Sequence, residues 1–282
     1  MSTEPQWTQI IEPQSRMFDL KLGELWHYRD LVYLFVRRDF VSQYKQTILG
    51  PAWHIIQPLL TTIMFTLVFG KIAKIPTDGI PAFLFFMAGT VMWGYFAAVL
   101  TGTSATFTAN AHLFGKVYFP RLAVPVSVLF SKLLGFAVQF GLFLCFLALF
   151  MLRGAEVSPN AWVLATPLLL LLMAALGLGL GVIVSAMTTR YRDLAIVVGF
   201  GVQLLMYATP VVYPLSVLPE PYRTWMAFNP IAPLMELFRY GYLGAGTVSL
   251  TMLAYSAGVT FVILFIGVVM FNKVERTFMD TV

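Results

Sequence analysis

LAVPVSVLFSKLLGFAVQFGLFLCFLALFML, residues 122–152, contains a single charged side chain, Lys132. A hydrocarbon core about 30 Å thick is crossed by about 20 mostly apolar helical residues. This run exceeds that length, so its first turns can protrude and Lys132 can reach back to the interface along its own apolar stem. Five more runs of the same kind flank it, at 54–70, 80–100, 162–187, 194–213 and 248–271. The first and fifth of the six are near the lower length limit, and each holds a proline, Pro58 and Pro210. Composition excludes a large soluble helical protein: 59% of residues are hydrophobic and 11% charged, where soluble domains carry roughly 25% charged residues. The sequence predicts an all-α polytopic membrane protein with six transmembrane helices.

Orientation follows from the basic residues. With the N-terminus in the cytoplasm, that side collects twelve Lys and Arg against five opposite, Lys132 excluded. The excess places both termini in the cytoplasm. The net charge of +5 then reflects topology rather than a nucleic-acid footprint, because no one face gathers it. A single cysteine, Cys145, excludes an intrachain disulfide and any cysteine-based metal cluster. The polar N-terminus lacks the pattern of a cleaved signal peptide.

Two units are expected. Residues 1–50 form a cytoplasmic N-terminal segment, and residues 51–282 form the six-span transmembrane domain. Within the first, residues 24–44 read as a helix interrupted too often by charge to cross a bilayer. Leu25, Tyr28, Val32, Phe35, Val36 and Phe40 gather on one arc, with His27, Asp30, Arg37 and Arg38 opposite. With Trp26 nearby, this fits an amphipathic helix lying in the membrane interface; a helix packed on a cytoplasmic partner is the alternative. Gly50 and Pro51 break the chain before it enters the bilayer.

Two connections stand out. Residues 101–121 are polar, include Asn110, His112, Leu113, Phe114 and Lys116, and are long enough for a short cytoplasmic helix presenting Leu113 and Phe114. An apolar knob with a polar rim suits a docking patch, so these five residues are the candidate contact for a cytoplasmic partner protein. Residues 214–246 hold Pro214, Pro219, Pro221, Pro230 and Pro233 and many apolar side chains. Prolines favour first helical positions, which predicts two short helices with Asn229 at the corner, each bearing an acid–base pair, Glu220 with Arg223 and Glu236 with Arg239. This segment reads as an external re-entrant helical hairpin between spans five and six, with Trp225, Asn229, Pro230 and Arg239 as candidate gate residues.

Catalytic chemistry is poorly provided for. His27, His54 and His112 are scattered, no two at metal-ligand spacing. The acidic residues lie outside the apolar runs, which argues against the buried carboxylates of ion-coupled pumps. No phosphate-cradling glycine loop occurs. Two polar and aromatic stripes remain: His54, Gln57, Thr61 and Phe65 on the first span, and Phe200, Gln203 and Tyr207 on the fifth. Polar side chains in membrane helices face protein or a watery path. Interhelical hydrogen bonding accounts for them equally well.

The order of motifs resembles the membrane-spanning subunit of ABC-2-type exporters, and within them permeases for lipid-linked polysaccharides such as O-antigen, capsule or teichoic acid. The residues that carry this are Arg38-Asp39, Tyr44-Lys45 and Leu49-Gly50-Pro51-Ala52-Trp53 at the membrane entry. Lys116-Val117-Tyr118-Phe119-Pro120-Arg121 and Tyr191-Arg192-Asp193-Leu194 follow on the cytoplasmic side. Asn229-Pro230-Ile231-Ala232-Pro233 and Phe238-Arg239-Tyr240-Gly241 complete the set in the hairpin. Gln46 stands where polysaccharide members often carry a basic residue. The resemblance implies a homodimer bound to two copies of a separate ATPase that holds the ATP and magnesium, in the bacterial cytoplasmic membrane. It also implies a channel at the dimer centre lined by the first and fifth spans, and a chain that is no enzyme by itself. An ABC-2 permease for a drug, lipid or peptide is the nearest alternative. A membrane-embedded transferase acting on lipid-linked sugars is a more distant one, disfavoured by the missing acid, base and metal ligands.

Overall fold

The computed structural model describes residues 22–45, 47–114, 119–191 and 193–281, and these are helical apart from turns and connections. A short α1 (Leu22–His27) and α2 (Arg29–Tyr44) replace the single helix expected over 24–44, because Tyr28 leaves helical geometry at φ −91°, ψ 21°. Phe35 is buried, Leu25, Tyr28, Val32 and Val36 are half-buried, and His27, Asp30, Arg37 and Arg38 are exposed, as the periodicity predicts; Phe40 is turned further out. Trp26, Tyr33, Leu34 and Val41 are exposed as well, so the outer face is only partly polar.

A 3-10 turn at Gly50–Ala52, with Pro51 inside it, leads into α3 (Trp53–Phe65), which continues as a π-helical stretch over Thr66–Ile72. Then come α4 (Ala82–Ser104), α5 (Thr106–Phe114) and α6 (Ala123–Leu152). A 3-10 turn at Ala161–Ala165, capped by the Asn160 side chain, precedes α7 (Thr166–Thr188). The remainder is α8 (Leu194–Tyr207), α9 (Glu220–Ala227), α10 (Ala232–Leu243) and α11 (Leu250–Thr281).

Five segments are long and apolar enough to cross a membrane: Gly50–Ile72, Ala82–Ser104, Ala123–Leu152, Ala161–Thr188 and Leu250–Val274. The fifth run of the sequence departs from expectation. Its α8 has 14 residues, about 21 Å of helix at 1.5 Å per residue, short of the hydrocarbon thickness. Pro210 supplies the reason, since a proline disfavours helical geometry in the residue before it and brings no N–H of its own.

The core sits on α4, whose most apolar stretch is 72% buried against 6% for the segment containing α3. The helices α3, α6, α7 and α8 all rest on α4. With lipid outside, apolarity alone does not hold such helices together, so close approach must. Glycines on α7 provide it. A Cβ at Gly177 would lie 3.1 Å from the Phe96 carbonyl, and one at Gly181 would run into Thr103 Oγ1 on α4. On the opposite side of α7, a Cβ at Gly179 would lie 2.9 Å from the Leu264 Cα of α11. A second cluster of Phe35, Phe107, Phe114, Phe119 and Phe271 joins α2 and α5 to the far end of α11.

Candidate functional site

The two stripes separate in the structure. On α8, Phe200 and Tyr207 are 63% and 48% exposed, Gln203 is exposed beside them, and no residue of that helix is buried. Of the four stripe residues on α3 only Gln57 is exposed. His54 wedges between α2 and α6: its ring lies edge-on to Tyr44 with centroids 5.4 Å apart, and a Cβ at Gly135 would be 3.0 Å from its Cε1. Thr61 Oγ1 donates to the Gln57 carbonyl at 3.0 Å, and Phe65 packs on Phe69 and on Phe86 of α4. His54 and Phe65 therefore pack against other helices of the protomer, while the Thr61 hydroxyl bonds within its own helix. Flanking apolar side chains on both helices, among them Trp53, Leu60, Met64, Ile196 and Leu204, are open.

The region 101–121 contains the expected short helix, α5, but its face is reversed. Phe114 is 4% exposed, with its ring 5.9 Å from Phe107 and 5.7 Å from Phe119, and Arg121 lies over it at 5.4 Å. Leu113 is half-buried against the same cluster, and Asn110 turns inward to donate from Nδ2 to the Thr106 carbonyl at 3.0 Å. The knob expected from Phe114 is absent, because Phe114 joins a cluster with Phe107 and Phe119 that Phe271 of α11 and Phe35 of α2 complete. Lys116 and the His112 side chain lie outside the described residues.

The segment between α8 and α11 forms two short helices with Asn229 between them. Both acid–base pairs are present, Glu220–Arg223 at 3.7 Å and Glu236–Arg239 at 3.8 Å. The second pair is a correction to the sequence reading, which has no buried carboxylate and an external Arg239. Glu236 is 4% exposed and Arg239 is 2% exposed. Arg239 stacks over Phe85 at 3.9 Å and donates from Nη1 to the Pro210 carbonyl at 2.6 Å and from Nη2 to the Val211 carbonyl. Asn229 Nδ2 donates to the Ala208 carbonyl and to Thr209 Oγ1, both at 2.9 Å. Ser256 Oγ donates to the Pro230 carbonyl, tying the corner to α11. Side chains of this segment thus satisfy the backbone that Pro210 forces out of the helix beyond α8. Trp225 alone of the four expected gate residues projects freely, at 75% exposed. Burial raises the Glu236 carboxyl above the ordinary carboxylate value, against the pull of Arg239, and lowers the Arg239 guanidinium to about 10, which leaves it charged at neutral pH.

Among the described residues no group of three or more His, Cys, Asp or Glu is placed to hold a metal ion. A profile of the ABC-2 type transporter family matches residues 30–243. The chain is similar to the O-antigen export system permease protein RfbA of Klebsiella pneumoniae, 27% identical over 256 residues that cover 89% of this chain and 94% of that protein. The protein of that description from Myxococcus xanthus is 32% identical over 219 residues, 77% of this chain and 81% of its own. The polysialic acid transport protein KpsM of Escherichia coli is 23% identical over 253 residues, 86% and 93% of the two chains.

Proposed function

This chain belongs to the ABC-2 type transporter family, and from that premise we propose that it is the permease subunit of an ATP-driven exporter of lipid-linked polysaccharide. The observation that carries the cargo class is similarity over nearly the full length of permeases whose descriptions specify O-antigen and polysialic acid. The membrane is the bacterial cytoplasmic one, with both termini inside. The α8 helix and the turn after it serve as a sixth, partly non-helical crossing, tolerated because protein side chains satisfy its backbone. The α9–α10 hairpin re-enters at the external side, and α1–α2 lie in the cytoplasmic interface with their exposed aromatic face toward lipid.

Two copies of the chain form the working unit. The open apolar faces of α3 and α8 are what a second copy covers, and a path between them meets Phe200, Gln203 and Tyr207 with Gln57. Flat rings and a few amides suit a sliding sugar polymer, which needs many weak contacts and no strong one. A separate ATPase, two copies per dimer, binds ATP and magnesium and pushes on the cytoplasmic side near α5 and the residues after it.

The test is uptake of radiolabelled lipid-linked polysaccharide into inverted vesicles containing the permease and its ATPase. ATP-dependent uptake that falls with Phe200→Ala or Tyr207→Ala at unchanged melting temperature is expected. Transport restricted to small amphiphiles, or sugar transfer by the purified chain alone, overturns the proposal.

A further inference from the structure

A cavity of about 360 Å³ lies between α9, α10 and the start of α11, and none of its lining residues belongs to α3, α5 or α8. Its size falls within the range of ligand pockets, about 300–1,000 Å³. Leu237, Val248, Met252 and Leu253 give it apolar walls, and Glu236 and Arg223 reach it from two sides. Glu236 is the deep group. Its Oε2 accepts a long bond, 3.3 Å, from the Thr247 N–H, the Leu215 N–H also points to the carboxylate, and Arg239 stays 3.8 Å from Oε1 because its terminal nitrogens are committed to carbonyls. A carboxylate has about four acceptor positions, so capacity remains. Asp78 adds a second negative charge nearby, accepting from Ser216 Oγ at 2.7 Å. Arg223 is at the rim, with 46% of its side chain exposed and Nη2 donating to the Ser216 carbonyl at 3.1 Å.

We propose that this cavity binds a phospholipid with a primary ammonium headgroup. The ammonium donates to Glu236, the phosphate meets Arg223, and an acyl chain follows Met252 and Leu253 onto α11, where Leu250 and Phe261 are 68% and 71% exposed. The lining selects among headgroups. A quaternary ammonium has no N–H to donate and is held by aromatic cages, and no lining residue is aromatic. An uncharged polyol headgroup leaves an anionic lipid facing Glu236 and Asp78. The leaflet rests on the proposed topology; the headgroup preference does not.

The delipidated, detergent-solubilised protein is titrated with phosphatidylethanolamine, phosphatidylcholine and phosphatidylglycerol of identical chains, and bound lipid is counted by native mass spectrometry. Phosphatidylethanolamine should bind at least about tenfold more tightly than the others, the effect of one charge-assisted contact. Glu236→Gln should abolish that preference. Because Glu236 also pairs with Arg239, Met252→Trp provides a second arm. It fills the cavity from a partly exposed position on α11 and leaves the ion pair alone. It should remove phosphatidylethanolamine binding at unchanged melting temperature. Equal retention of the three lipids, retention undiminished by Met252→Trp, or no lipid bound because a second copy closes the cavity overturns the proposal. The readout is lipid binding, so its failure leaves the export reading standing.

Discussion

Arg239→Met tests how the end of α8 is held. Methionine roughly preserves the volume over Phe85 but removes the donors to Pro210 and Val211. Hydrogen bonds to a charged group contribute about 1.5–3 kcal/mol each. The substitution also leaves Glu236, 4% exposed, without its cation, and breaking a buried ion pair from one side costs about 3–5 kcal/mol. These terms describe overlapping contacts, so the expected loss is about 3–5 kcal/mol rather than their sum. Arg239→Lys should restore only part of it, because one ammonium cannot match the planar fork that reaches both carbonyls. Adding Glu236→Gln to Arg239→Met should cost less than the two single losses combined, by about 1–3 kcal/mol. Thermal unfolding of the detergent-solubilised protein, with protein level in membranes as a control, measures all four variants. A single-variant loss below about 1 kcal/mol, or strict additivity, refutes the latch, since a solvated surface pair would give that result.

Phe114→Ala should destabilise by about 3–5 kcal/mol as a buried aromatic, and Leu113→Ala by less; ATPase co-purification compared at matched stability then separates folding from docking. Gly181→Ala should cost about 1–3 kcal/mol as an overpacked contact, because its Cβ meets Thr103 Oγ1 and lies 2.9 Å from the Leu100 carbonyl, whereas Gly141→Ala, with nothing within 4 Å, should leave unfolding unchanged. In a Cys145→Ala background, Trp225→Cys should react rapidly with a membrane-impermeant thiol reagent and Leu234→Cys, whose native side chain is 0% exposed, should not; equal labelling would contradict the packing of α10. Asn229→Ala should lower stability by about 2–4 kcal/mol through three lost hydrogen bonds, two donated by Nδ2 and one accepted by Oδ1 from the Ile231 N–H, read by the same unfolding assay.

The long helices were legible because apolar length reports a lipid environment directly. The same signal misjudged α8: Pro210-Val211-Val212-Tyr213 is as apolar as a helix, but apolarity describes surroundings and not backbone geometry. The α9 and α10 helices were legible from their prolines, which act locally. Burial of Phe114 was not, because the cluster it joins with Phe107 and Phe119 is completed by Phe35 and Phe271, far away in sequence. The i,i+3 spacing of Glu236 and Arg239 gave their pairing but not the depth of their burial. Burial of Arg239 depends on Gly89, where a Cβ would come 2.7 Å from Arg239 Nη2, and that dependence is invisible from α10 alone. A missed signal was available in Gly177, Gly179 and Gly181, whose alternation gives α7 two smooth flanks. For the stripes, periodicity identified the open row on α8 but could not tell that His54 and Phe65 turn inward.

Because α3 and α8 each rest on α4, while α4 is enclosed by its neighbours, mutation meets two very different kinds of ground. A change on α4 must be absorbed by α3, α6, α7, α8 and α10 at once. A change on the open row of α8 disturbs almost nothing inside the protomer. Along the proposed path, the surface that meets cargo can therefore diverge between lineages that build different polymers, while the scaffold behind it stays fixed. A permease of this design can acquire a new cargo through a handful of exposed side chains, without passing through a misfolded ancestor.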